Sequence, residues 1–151
     1  AGLRTTVQHV ARAHMPEDLK RYAYLAAKAE LEPDVLIRIG QLPERLLPNH
    51  ANALRANAPF SDRFRVQTWD RHSSTVTSHI AKDGHYYIHP DPHQMRSLTV
   101  REAARLQTFP DDYLFWGNRT QQYHQVGNAV PPYLARQLAQ VVAELLGVAE
   151  R

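Results

Sequence analysis

The chain contains no cysteine among its 151 residues. This absence excludes disulfide bonds, cysteine-ligated zinc sites and thiol nucleophiles within the chain, and it is in keeping with a reducing, intracellular compartment. Long apolar runs are also lacking: none approaches the roughly 18 residues of a membrane span or has the layout of a signal peptide. We therefore expect a soluble protein without a secretory origin. The first residue, Ala1, fits a segment of a longer chain as well as removal of an initiator methionine.

Positive charge exceeds negative charge only slightly. The 18 lysine and arginine residues stand against 15 aspartate and glutamate residues, giving a formal net charge of +3 with the nine histidines neutral. Such a surface permits a nucleic acid partner but does not require one, because an ordinary mixed-charge surface has the same balance. The length suits one compact unit with a working core.

Residues 1–60 are predicted to form a helical lead-in. Apolar residues recur at three- and four-residue steps from Val7 to Leu31, and Pro16 opens the second half of this stretch, which predicts a helical hairpin. Four prolines between residues 33 and 59 then divide the chain into short helical turns joined by irregular connections.

Residues 61–98 have a composition typical of β-structure. The segments FRVQTW, TVTSHI and KDGHYYIHP are rich in β-branched and aromatic residues, and Asp83 with Gly84 is a turn signal. They predict two or three antiparallel strands.

Residues 99–151 are predicted to contain two helices. Thr99 and Glu102 form a T-x-x-E capping box, and Pro110 ends the first helix near Thr108. The second helix begins at Pro131 and Pro132 and continues to a C-cap at Gly147, with an apolar face wide enough to require a substantial packing partner. The predicted fold class is therefore α+β, with a helical N-terminal part, a small antiparallel β-sheet and a C-terminal amphipathic helix.

Few residues suggest catalysis. His85, His89 and His93 have the four-residue spacing of helical metal ligands, but Pro90 and Pro92 interrupt any helix there, so ordinary loop histidines are the preferred interpretation and no metal site is predicted. The serines lack the glycine-flanked elbow of a hydrolase nucleophile. No catalytic residue is predicted in this chain.

Basic and hydroxyl side chains concentrate in the predicted β region. Guanidinium and ammonium groups beside small hydroxyls are suited to phosphate contacts, although unrelated residues on a solvated face give the same pattern. The candidates for DNA contact are Arg63, Arg65, Thr75, Thr77, Ser78 and Lys82.

Two longer motifs carry a family resemblance. RSLTVREAARLQTFPDDY (residues 96–113) is followed by QYHQVGNAVPP (residues 122–132), and the pair resembles the ninth and tenth motifs of DNA (cytosine-5) methyltransferases in order and spacing. The resemblance implies that the preceding region is a target recognition domain, in which Thr75 contacts the DNA backbone beside the flipped nucleotide. It further implies that charged and capping residues of the ninth motif orient that domain: Arg96, Thr99, Arg101, Glu102 and Arg105.

The tenth motif implies a cofactor contact. By resemblance, Gly127, Asn128 and Ala129 lie at the amino acid end of S-adenosylmethionine. The family's glycine-rich first motif, Pro-Cys-Gln nucleophile, Glu-Asn-Val acid and Gln-x-Arg-x-Arg segment have no counterpart here, so the chain alone is expected to be inactive.

The expected partners are double-stranded DNA and a missing catalytic half on the same or a separate chain, in the bacterial cytoplasm and as part of restriction-modification. Three alternatives stay open: the small subunit of a split methyltransferase, a stand-alone DNA-binding module, and a structural protein that self-associates through its last helix.

Overall fold

The computed structural model describes residues 6–32, 36–48 and 62–147. Regular secondary structure in these ranges is helical. The α-helices are α1 (Pro16–Leu31), α2 (Val100–Leu106), α3 (Arg119–Asn128) and α4 (Pro132–Leu145). Short 3-10 turns lie at Ile39–Gln41, Glu44–Leu46, Ser78–Ala81 and His85–Tyr87. None of the described helices has the length and apolar character needed to cross a bilayer.

The predicted N-terminal hairpin is wrong, because only its second half is helical. Pro16 starts α1 and two acidic residues occupy the first turn, which suits the helix dipole. Residues 6–15 instead form a non-helical N-terminal segment that lies across the C-terminal half of the protein. There the Gln8 side chain pairs with both backbone groups of Phe115, at 2.7 and 3.2 Å. Long-range bonds of this kind replace the hydrogen bonds of a helix.

The predicted turns between residues 33 and 59 are confirmed where the structure describes them. Ile39–Gln41 and Glu44–Leu46 are single 3-10 turns that pack beside α1. The predicted helical turn at residues 51–56 lies outside the described residues.

The predicted antiparallel sheet is also wrong: no strand is assigned in residues 62–147. Ile88 makes two isolated bridges, one parallel with Val66 and one antiparallel with Ser97. Side chains satisfy backbone groups that a sheet ladder would use, since the Gln67 amide bonds to the Ser74 nitrogen and the Tyr86 carbonyl, at 2.9 Å each. The β-propensity of these segments thus gives extended chain and 3-10 turns without a ladder.

The predicted helix boundaries in the C-terminal part agree with the structure. Thr99 caps α2, and its side chain and the Glu102 side chain form the predicted capping box. Thr108 follows α2 in a left-handed conformation (φ 61°), and its hydroxyl accepts from the Tyr133 amide in the first turn of α4. The end of α2 is therefore tied to the start of α4.

Helix α3 was not predicted. It contains the beginning of the tenth motif, and Asn118 and Gln121 form a second capping box at its start. Asn-x-x-Gln is a sequence signal of a helix N-terminus that could have located α3.

Two hydrophobic clusters hold the described residues together. The larger joins α2, α3 and the Ser78–Ala81 turn, and the smaller joins α1 to the two turns that follow it. The first contains Val76, Ile80, Ala81, Tyr87, Leu98, Val100, Ala103, Ala104, Phe115, Tyr123 and Val126. The second contains Tyr22, Leu25, Ile39, Leu42, Leu46, Phe64 and Ile88.

Helix α4 lies outside both clusters. None of its residues is buried, and Leu145 is 82% exposed. The other large apolar side chains on it are also exposed: Tyr133, Leu134, Leu138, Val141 and Val142. An apolar surface of this kind marks an interaction site in a folded protein.

Candidate nucleic-acid interface

A cavity of about 510 Å³ brings together three of the predicted DNA-contact residues. Arg65, Thr75 and Thr77 line it, so one guanidinium group and two hydroxyl groups face a common space. Sequence analysis did not assign the other lining residues to this site: His72, Ser73, Ser74, His79, Tyr86 and Tyr87. For the last two, the available signal was the aromatic pair Tyr86 and Tyr87, which follows Lys82 and His85 in the sequence. Charged, hydroxyl and imidazole groups around one space are suited to an oxyanion.

A smaller cavity of about 170 Å³ adjoins the first. Arg63 and Lys82 line it, and His79 and Tyr86 border both cavities. Ser78, the remaining predicted contact, is half-buried in the Ser78–Ala81 turn. Five of the six predicted residues therefore line two cavities that share His79 and Tyr86, and Ser78 lines neither.

The two arginines that line these cavities are oriented by carboxylates. Arg63 pairs with Asp83, and Arg65 pairs with Asp62. The Arg65 guanidinium lies 5.8 Å from the centre of the Tyr86 ring, within the range of a cation–π contact. These partners restrict the side chains but leave each about a third exposed.

The ninth motif contains a charged hydrogen-bond network. Arg96 donates to both oxygens of Glu102, at 2.6 and 2.7 Å, and the Thr99 amide donates to the same carboxylate at 2.7 Å. Burial alone raises the pKa of Glu102, but the bonds from Arg96 and Thr99 outweigh it and lower the pKa to about 2. Glu102 is thus a charged structural anchor and not a proton donor at neutral pH.

The other two ninth-motif arginines differ sharply in burial. Arg101 is fully buried and donates to oxygens of the N-terminal segment and of residues 110–113. Arg105 is exposed and pairs with both oxygens of Asp111 at 2.8 Å. Only Arg101 joins distant parts of the chain.

The tenth-motif residues have distinct surroundings. Gly127 packs against the backbone of Thr77 and Ser78, where an added Cβ would lie 2.5 to 2.6 Å from backbone atoms. The Ala129 carbonyl accepts from the Gln107 amide at 3.4 Å. Asn128 is exposed at the end of α3. Among these three residues, Asn128 is exposed and the other two are half-buried.

The three evenly spaced histidines do not converge. The His85 ring forms a hydrogen bond with the Tyr22 hydroxyl at 2.7 Å. The His89 ring accepts a hydrogen bond from the Asp91 amide, and His93 is exposed. Within the described ranges, no group of three or more potential ligands could hold a metal ion.

Acidification is expected to destabilise the fold through His14. Burial first, and the Arg12 charge second, lower the pKa of His14 from 6.5 to about 4. Between these values the unfolded chain binds more protons than the folded chain, so stability is lost as the pH falls from about 6.5 towards 4. His14→Gln keeps an acceptor for the Ser97 amide. This variant should remove about 1–2 kcal/mol of the stability that the protein loses on acidification. The expected value is smaller than the whole pKa shift of His14 would give, because His14 is only half-buried.

His93→Gln is the matched control, because His93 is exposed on a loop. Denaturant unfolding between about pH 7 and pH 4 measures both variants. An unchanged pH dependence in His14→Gln would contradict the assignment.

Comparison with known proteins identifies the family. Residues 10–144 match the family model described as C-5 cytosine-specific DNA methylase, and the chain belongs to this family. It is similar to the type II methyltransferase M.Bpa9945I of Bacillus paralicheniformis, with 54% identity over 110 residues that cover 73% of this chain and 24% of the relative. It is also similar to the type II methyltransferase M.DdeI of Desulfomicrobium norvegicum, with 48% identity over 156 residues, 94% of this chain and 34% of the relative. The chain spans about a quarter to a third of the length of these two relatives.

Proposed function

We propose that this chain is the C-terminal, DNA-recognising part of a DNA (cytosine-5) methyltransferase, which transfers a methyl group from S-adenosylmethionine to carbon 5 of cytosine in duplex DNA. The observation that carries the proposal is membership of the family together with the absence of cysteine from all 151 residues. Since the family's reaction begins with attack by a thiolate, the nucleophile comes from a separate catalytic portion, on the same or another chain. This chain alone is inactive.

The two adjoining cavities form the DNA-contact face. Arg65, Thr75 and Thr77 surround the larger cavity, where guanidinium and hydroxyl groups bind phosphate oxygens of the DNA backbone. Lys82 and Arg63 extend the positive charge along the same face. Contacts to phosphate set the position of the protein on the duplex, and base contacts by neighbouring side chains supply specificity.

The tenth motif forms one wall of the cofactor site. Asn128 fits this role because its exposed carboxamide both donates and accepts hydrogen bonds, as the amino and carboxylate groups of S-adenosylmethionine require. Gly127 and Ala129 support the wall, since one packs on Thr77 and the other is held by Gln107. When bound, the cofactor supplies the methyl group.

The exposed face of α4 is the docking surface for the catalytic portion. Leu138, Val141 and Leu145 are each more than half exposed, and covering them with a protein surface would recover the free energy of apolar burial. A second copy of this chain is the alternative partner for the same face.

Methyl transfer from labelled S-adenosylmethionine to mixed-sequence duplex DNA tests the proposal. This chain is assayed alone, and then mixed with the catalytic portion of the Bacillus paralicheniformis relative. Activity is expected only in the mixture, as for a complementing recognition half or a split small subunit. Activity of the chain alone would show that the absence of cysteine does not prevent methyl transfer. DNA binding without any activity in the mixture would favour a stand-alone binding module.

A further inference from the structure

We propose that the Tyr87 hydroxyl group positions residues 75–77 so that the Thr75 side chain faces the DNA. Tyr87 is then a positioning residue of the DNA-contact face, although its own ring is 3% exposed and belongs to the larger hydrophobic cluster. The inference rests on the DNA contact proposed above for Thr75.

All the hydrogen-bonding capacity of the Tyr87 hydroxyl is used by this one segment. It donates its proton to the Thr75 carbonyl at 2.9 Å and accepts from the Thr77 amide at 3.0 Å. The Thr77 hydroxyl lies 3.2 Å from the same oxygen. A phenol has one donor and two acceptor positions, so the three contacts satisfy it completely.

Burial of Val76 explains why the orientation of the segment matters. Val76 is 7% exposed in the larger cluster, while Thr75 and Thr77 on either side of it are exposed. In extended chain, alternate side chains point to opposite sides, so a fixed backbone at Val76 turns the Thr75 side chain outward, while the Thr77 hydroxyl stays on the Tyr87 oxygen. No sheet ladder holds this backbone within residues 62–147, and the Tyr87 hydroxyl takes over that task.

Two further contacts hold the same segment. The Gln107 amide donates to the Val126 carbonyl at 3.1 Å and reaches the Val76 carbonyl at 3.5 Å. Gly127 packs against Thr77, as described above. The ninth and tenth motifs therefore contact residues 75–77, and the Tyr87 hydroxyl provides the remaining hydrogen bonds to this segment.

Tyr87→Phe and Tyr123→Phe form a matched pair for the test. Tyr123 is 1% exposed in the same cluster, and its hydroxyl donates to the Leu98 carbonyl at 2.6 Å, so both changes remove one buried, bonded oxygen. Tyr123→Phe should lower the melting temperature by about 2–5 °C, and Tyr87→Phe by at least as much, because its hydroxyl also accepts from the Thr77 amide. Affinity for a fluorescein-labelled mixed-sequence duplex, measured by anisotropy at low salt, should fall about tenfold in Tyr87→Phe and less than twofold in Tyr123→Phe.

A double-mutant cycle separates positioning from general stability. Thr75→Val removes an exposed hydroxyl, and in that background Tyr87→Phe should cost clearly less affinity than in the wild type. Wild-type affinity in Tyr87→Phe, equal losses in the two tyrosine variants, or strict additivity with Thr75→Val would overturn the positioning role. A wild-type chain without salt-dependent DNA affinity would instead reject the DNA contact itself, and the positioning role with it.

Discussion

Replacing Arg101 with methionine is expected to lower the free energy of unfolding by about 3 kcal/mol. The guanidinium group is 0% exposed, and its four acceptors are neutral oxygens. They are the carbonyls of Val7 at 3.2 Å, Pro110 at 3.0 Å and Tyr113 at 2.6 Å, and the Gln8 side chain at 3.4 Å. Methionine fills much of the same volume but donates no hydrogen bond, so these partly buried carbonyls lose their partner. The N-terminal segment and residues 110–113 would lose their common anchor.

Arg105→Met is the control, because Arg105 lies on the same helix but pairs with Asp111 at the surface. Its effect should stay within about 0.5 kcal/mol, as is usual for an exposed ion pair. Thermal unfolding should show a melting temperature about 6–12 °C lower for Arg101→Met and little change for Arg105→Met. Equal shifts in the two variants would contradict the anchoring role of Arg101.

Replacing Gly127 with alanine is expected to destabilise the protein by about 2–3 kcal/mol. The new Cβ would lie 2.5 Å from the Thr77 carbonyl carbon and oxygen and 2.6 Å from the Ser78 nitrogen. Backbone atoms cannot move aside as a flexible side chain can, so α3 must shift away from the Ser78–Ala81 turn. Alanine favours a helix over glycine by about 1 kcal/mol, and a net loss therefore means that the clash outweighs this gain.

Gly40→Ala is the corresponding control. Apart from its chain neighbours, no atom of the described residues lies within 4 Å of a Cβ built at Gly40, so alanine should be neutral or slightly stabilising there. Denaturant unfolding of both variants measures the difference. If Gly127→Ala were as stable as the wild type, the contact with Thr77 would not constrain position 127, and close approach to the cofactor would be the better reason for glycine.

Features governed by neighbouring residues could be predicted from the sequence. Thr99 and Glu102 form the expected capping box, and Pro110 follows the end of α2 as its fixed torsion requires. Pro132 starts α4, and Gly147, predicted as its C-cap, has a positive φ one residue after the observed C-cap, Leu146. In each case the interactions involved span only a few residues, so the pattern alone contains them.

Features that depend on distant partners could not be predicted. The apolar spacing before Pro16 indicates a helix, yet Gln8 bonds to Phe115, 107 residues away. The β-branched residues around Val76 indicate a strand, yet the Tyr87 hydroxyl takes the place of a neighbouring strand. A side chain that satisfies a backbone from far along the chain leaves no periodic signal.

The sequence by itself determined the family, through its two long motifs, and the positions of the helix ends in the C-terminal part. It also supplied Arg65, Thr75 and Thr77 as candidates for DNA contact. Only the tertiary structure decided that these three share one cavity and that Gly127 packs on Thr77. The reason is physical: capping and proline torsions act over one turn, whereas a cavity and a close backbone contact exist only after distant segments have packed together.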